Sequence, residues 1–104
     1  MPVLAIFRGK GITKTMYESL RKEVHWENQL PDGAVFHVAG FDDKGDLHVA
    51  DVWESTEKMN KFVEDRLLPA MKRLKIPAPE VEAYPTHNIN AYALIEEYKL
   101  GNLK

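Results

Sequence analysis

The stretch AVFHVAGFDDKGDLHVADVWES, from Ala34 to Ser55, restricts the fold more than any other part of the chain. Two runs of apolar and β-branched residues flank Asp43-Lys44-Gly45, and this pattern reads as one β-hairpin. A three-residue loop with Gly45 in the left-handed region pairs Asp42 with Asp46. Counting outward sets Phe41 opposite Leu47, Ala39 opposite Val49, His37 opposite Asp51 and Val35 opposite Trp53. Phe36, Val38 and Gly40 then share the other face with His48, Ala50 and Val52. A slip of one residue would carry each apolar set to the wrong side, so the pattern holds its own register. A histidine and a carboxylate are thereby opposed on one face, with Trp53 next along.

The remaining elements follow in order. Pro2–Arg8 is a nearly continuous apolar run, the mark of a strand central in its sheet. Thr13 caps an amphipathic helix of about three turns, with Tyr17 beside Met16, Leu20 and Val24 and charged residues opposite. His25 and Trp26 close that helix and cover the loop, which turns at Pro31-Asp32-Gly33. After the hairpin, Ser55 or Thr56 caps a second helix whose inner face carries Met59, Phe62, Val63, Leu67 and Met71. Pro69 predicts a kink or a fresh turn within it. Glu80–Thr86 alternates as a strand, and Pro85 places it at an edge. Asn90–Lys104, with Ala91, Leu94, Ile95 and Tyr98 at helical spacing, predicts a short terminal helix.

The order β-α-β-β-α-β is the ferredoxin-like pattern: an α+β fold with a four-stranded antiparallel sheet and both helices on one face. Residues 1–88 make that domain and 89–104 a helical tail. Both faces of the sheet are apolar. Leu4, Ile6, Phe36, Val38, Ala50 and Val52 fall on the side without helices, so a second copy is expected to cover them and give a homodimer through the sheet face.

Composition excludes several classes. The chain has 104 residues, enough for a single core, and a formal charge of −2, which offers no general attraction to nucleic acid. It has no cysteine, so disulfides, thiolate metal sites and cysteine nucleophiles are out. No run is suited to spanning a membrane, and Met1–Arg8 lacks signal-peptide character, which makes a soluble cytoplasmic protein the expectation. Glycine-rich phosphate loops and serine-nucleophile elbows are missing as well.

Val52-Trp53-Glu54-Ser55 leading into an amphipathic helix with Phe62, together with FHVAGF and YPTHN, resembles the dimeric α/β-barrel superfamily. The likeness is to its antibiotic-biosynthesis-monooxygenase-like group and to short bacterial members of unassigned activity, over roughly Pro2–Asn88. It implies two ferredoxin-like sheets packed face to face, with a ligand cleft between helices and sheet in each subunit. The group includes cofactor-independent oxygenases and haem-degrading enzymes. The haem branch uses a first-strand asparagine and a histidine ten residues after the tryptophan. Here Val3–Arg8 has no asparagine and the histidine position is Val63, so no haem and no other cofactor is expected.

His37 and Asp51 are the candidate catalytic pair. A carboxylate beside an imidazole orients the ring and favours its protonated form, and such a base removes a proton from a phenol or enol that can then react with dioxygen. The alternative is a buried polar pair that satisfies only itself. Trp53 is a stacking wall for a flat substrate or a core aromatic. Tyr17, Tyr84 and His87 are candidate substrate contacts, with His87 reaching the cleft or the partner subunit, or standing in an ordinary loop. His37 and His48 point to opposite faces, so no metal site is expected. Two functions remain open: a cofactor-independent monooxygenase-like enzyme for a small aromatic or polyketide-like molecule, and a non-catalytic homodimeric module that binds a small ligand or a protein.

Overall fold

The computed structural model describes residues 1–99. Strands β1 (Val3–Gly9), β2 (Ala34–Phe41), β3 (Leu47–Trp53) and β4 (Glu80–Pro85) form one sheet in the order β2-β3-β1-β4. Every neighbouring pair is antiparallel. The apolar run is therefore central and the proline-ended strand lies at an edge, as the sequence requires. With helix α1 (Lys14–Val24) and the α2 (Thr56–Phe62) to α3 (Leu68–Leu74) arm, this is the ferredoxin-like arrangement.

Thr13 starts α1 by accepting the Met16 N–H at 3.2 Å, and Ser55 does the same for Lys58 in α2. Alternation then decides what the sheet buries. Val3, Ala5 and Phe7 of β1 and Leu47, Val49, Asp51 and Trp53 of β3 face the helices and are buried. Against them pack Tyr17, Leu20 and Val24 from α1, then Met59, Ala70 and Met71. Each large apolar side chain buried here contributes roughly 1.5–3 kcal/mol. The opposite face carries Leu4, Ile6, Ala50 and Val52 half-buried, with Phe36 and Val38 at 39% and 49% exposed.

The hairpin pairs Phe41 with Leu47, Ala39 with Val49 and His37 with Asp51. Gly45 has φ +84° and donates its N–H to Asp42 O at 2.9 Å, closing the expected loop. The pairing fails at one place. Ala34, not Val35, opposes Trp53, because Val35 is the extra residue of a bulge before Phe36. The cause lies just upstream. Gly33, at φ +84°, accepts the Glu54 N–H at 2.7 Å, and a Cβ there would sit 2.6 Å from Lys58 Cδ. The entry to β2 is thus pinned beside α2, and the surplus residue is pushed out of the ladder.

Between α2 and α3, Val63–Leu67 winds as a π-helical turn, with the Leu68 N–H bonded to Val63 O. Pro69 has no N–H to donate and crowds the carbonyl four residues back. Of the two expectations, a kink or a fresh turn, the second holds: a wide turn ends at Leu67 and α3 starts at Leu68 with Pro69 in its first turn. The predicted terminal helix is a 3₁₀ segment, Ala93–Tyr98, with no buried residue; the tail's last residues, 100–104, lie outside the described residues. Gly45→Ala is expected to cost about 1 kcal/mol, since any side chain at positive φ meets the following carbonyl. A lower urea midpoint at unchanged m-value checks this.

Candidate functional site

Four side chains from three elements form one hydrogen-bonded chain under the helices. His37 on β2 faces its cross-strand partner Asp51 on β3, with Nδ1 2.6 Å from Oδ1. Trp53, two residues along the same face, donates its indole N–H to Asp51 Oδ2 at 3.2 Å. The Tyr17 hydroxyl reaches from α1 to His37 Nε2 at 2.8 Å. Because the carboxylate accepts, Nδ1 carries a proton, and with the ring neutral Nε2 accepts the Tyr17 O–H. All the polar atoms in this row then have partners.

Burial makes the row consequential. Asp51 is 8% exposed and Trp53 4%, so the carboxylate relies on these donors in place of water. Tyr17 is equally enclosed, and desolvation holds its phenol well above the ordinary value of 10.0, with the Asp51 charge adding to the effect and Arg21 opposing it. Tyr17 therefore acts as a hydrogen-bond donor at neutral pH. His37 is different: its side chain is 36% exposed, because β2 is an edge strand. Access to the chain from solvent runs through this ring.

Aromatic neighbours fix the geometry. Trp26 lies 5.6 Å, ring centre to ring centre, from both Tyr17 and His37, and Phe41 meets Tyr17 edge-on at 6.0 Å. On the far side Phe62 packs on Trp53 at 5.4 Å. The sequence places Trp26 at the end of α1, closing the helix and covering the loop. What it lacked was the path of the chain after α1: His25 takes the left-handed conformation at the helix end and turns the next residue inward. The Trp26 indole nitrogen is buried and has no hydrogen-bond partner among the described residues.

The other proposed residues lie elsewhere. Tyr84 pairs with Leu4, which puts it on the helix-free face, where its hydroxyl bonds Glu82 beside the Arg8–Glu82 ion pair. His87 follows β4 as an exposed residue. His48 lies on the face opposite His37, 2.8 Å from Asp42, and this bond holds the Asp42 carboxyl below the usual range. Among the described residues no group of three metal-ligating side chains occurs, and no helix is long and apolar enough to cross a membrane.

No protein-family model and no curated protein sequence matches the chain. Solved structures do match. SnoaB, a cofactor-independent oxygenase from Streptomyces nogalater, has a TM-score of 0.61 at 18% identity over 85% of this chain and 95% of its own. A candidate antibiotic biosynthesis monooxygenase from Deinococcus radiodurans scores 0.59 at 15% identity, over 89% and 100%. The chain has the antibiotic-biosynthesis-monooxygenase-like fold. Rv0793 from Mycobacterium tuberculosis shares it too, at 0.65 and 12% identity over 88% and 100%. Identities this low establish a shared fold and leave the chemistry to the side chains.

Titration tests the buried phenol. Tyr17 is expected to stay protonated above the ordinary value of 10.0, read as tyrosinate absorbance that Tyr17→Phe leaves unchanged there. Its folded-state value is raised, so the folded protein keeps a proton the unfolded chain loses. Stability from this group is complete below about pH 10 and falls as pH rises beyond it. Tyr17→Phe should remove that alkaline decline.

Proposed function

We propose that the protein is a homodimeric enzyme that oxygenates a small phenolic or polyketide-like aromatic molecule without a cofactor. The row Tyr17–His37–Asp51–Trp53, with its imidazole at the solvent edge, carries this reading. Its likeness in fold to a cofactor-independent oxygenase supports it. A substrate hydroxyl would take the place of Tyr17 as donor to His37 Nε2. The substrate proton then moves to Nε2, and Asp51 stabilises the imidazolium through Nδ1. The resulting phenolate carries negative charge on ring carbon. Dioxygen adds there to form a C–O bond, and His37 returns its proton to the distal oxygen. Loss of the ring hydrogen on that carbon, with cleavage of the O–O bond, releases water and leaves a carbonyl. Dioxygen is the oxidant, and one of its atoms ends in the product. Trp53 holds the carboxylate in line from below.

The second copy in this proposal covers the helix-free face. Phe36 and Val38, with Leu4, Ile6, Ala50 and Val52, form one apolar surface, and Arg8, Glu82 and Tyr84 supply a polar border. Tyr84 then belongs to the subunit contact, with His87 beside it just beyond β4. Val38→Glu is expected to convert the dimer to monomer in sedimentation velocity, with the far-ultraviolet dichroism kept.

A specific observation favours a second reading. Both His37 nitrogens already have protein partners, and Tyr17, Asp51 and Trp53 are each at least nine-tenths buried. In that case the row is structural and the protein is a non-catalytic module. Oxygen-electrode measurements with a panel of phenols and hydroxynaphthoquinones separate the two. The enzyme reading expects uptake that falls by about 10²–10⁴-fold in His37→Ala. Uptake absent from the wild type, or equal in the variant, leaves the structural one.

A further inference from the structure

A cavity of about 310 Å³ lies between the loop that precedes β2 and the α2 arm, and the Phe62 ring that packs on Trp53 separates it from the His37 row. Leu30, Pro31 and Phe62 form its apolar wall, and Lys61, Asp65 and Arg66 its polar one. Leu30 is 78% exposed at its lip, a large apolar side chain that the core does not use. Arg66 is fixed in place. Its Nη2 donates to Val24 O at 2.9 Å and Gln29 O at 2.7 Å, and its guanidinium carbon lies 5.1 Å from the centre of the Phe62 ring. Those two bonds use Nη2 alone. The N–H groups on Nε and Nη1 have no acceptor among the described residues.

Charge in the cavity is not balanced internally. Lys58, also on its wall, is shared between Asp32 at 3.5 Å and Glu54 at 3.2 Å, so it offers no spare charge. Lys61 has no ion-pair partner among the described residues, and with Arg66 it outweighs Asp65. A preset guanidinium with free donors, a spare ammonium and an apolar wall together match a carboxylate attached to a flat apolar body. The volume lies at the small end of ligand pockets. We propose that this cavity binds a small aromatic carboxylate, with its ring against Leu30, Pro31 and Phe62 and its charge on Arg66 and Lys61. This holds whether or not the His37 row is catalytic.

Equilibrium dialysis of the full-length chain against 2-naphthoate tests it, with 2-naphthamide as the neutral counterpart. The naphthoate is expected to bind at least ~10-fold more tightly than the amide, since the charge-assisted bonds are lost. Leu30→Asp places a like charge at the lip of the cavity on an exposed side chain that leaves the core intact. It should weaken naphthoate by ~10-fold or more, and Lys61→Gln by a smaller factor. Equal binding of acid and amide, no naphthoate binding, or indifference to Leu30→Asp would each overturn the assignment.

Discussion

One buried carboxylate organises the helix side of the sheet. Asp51 sits in the middle of β3 between neighbours that are wholly apolar, and an ionised group there is tolerated only if its oxygens are met by donors. One donor arrives from β2 and one from the same strand, so hairpin register and carboxylate solvation become one requirement. Slipping the hairpin by a residue would expose Val49 and also strip Asp51 of His37. His37 in turn needs a donor at Nε2, which fixes α1 over the sheet through Tyr17. The polar row and the apolar core thus specify the same packing.

This dependence explains how much was legible beforehand. The opposition of His37 and Asp51 followed from local counting, because a three-residue loop and period-two alternation are short-range rules. Tyr17 was legible as an inner-face residue of α1 and a candidate substrate contact, but not as the partner of His37. Its contact with His37 depends on where the helix lies over the sheet, which no local pattern encodes. Trp26 was hidden for a related reason: its place depends on a left-handed histidine at a helix end. Val35 was misplaced because the bulge arises from contact between Gly33 and Lys58, far apart in the chain. Tyr84 is the plainest case. Alternation along β4 was readable, but its phase against β1 comes from pairing with Leu4.

The same row lends itself to chemistry and to structure for one physical cause. A neutral imidazole between a carboxylate and a phenol is fully bonded at rest, which stabilises the fold. The arrangement also leaves the imidazole ready to accept a proton from any hydroxyl that displaces the phenol. The edge position of β2 leaves the His37 ring open to such displacement, while the other three side chains of the row are closed off. Solvent reaches the row at that edge.

The wide turn at Val63–Leu67 has a consequence for comparing this chain with others. Met59, Val63, Leu67 and Met71 all pack on the core, yet they recur at intervals of four. In a regular helix each such step drifts by about 40°, and three steps would swing Met71 out of line. The π turn takes up the drift by enclosing one residue more than an α turn. In an alignment with a chain whose second helix is regular, that residue becomes a gap, and it belongs between Val63 and Leu67. The wide turn begins at Val63, ten residues after Trp53. Any equivalence counted past it along the helix is displaced by one.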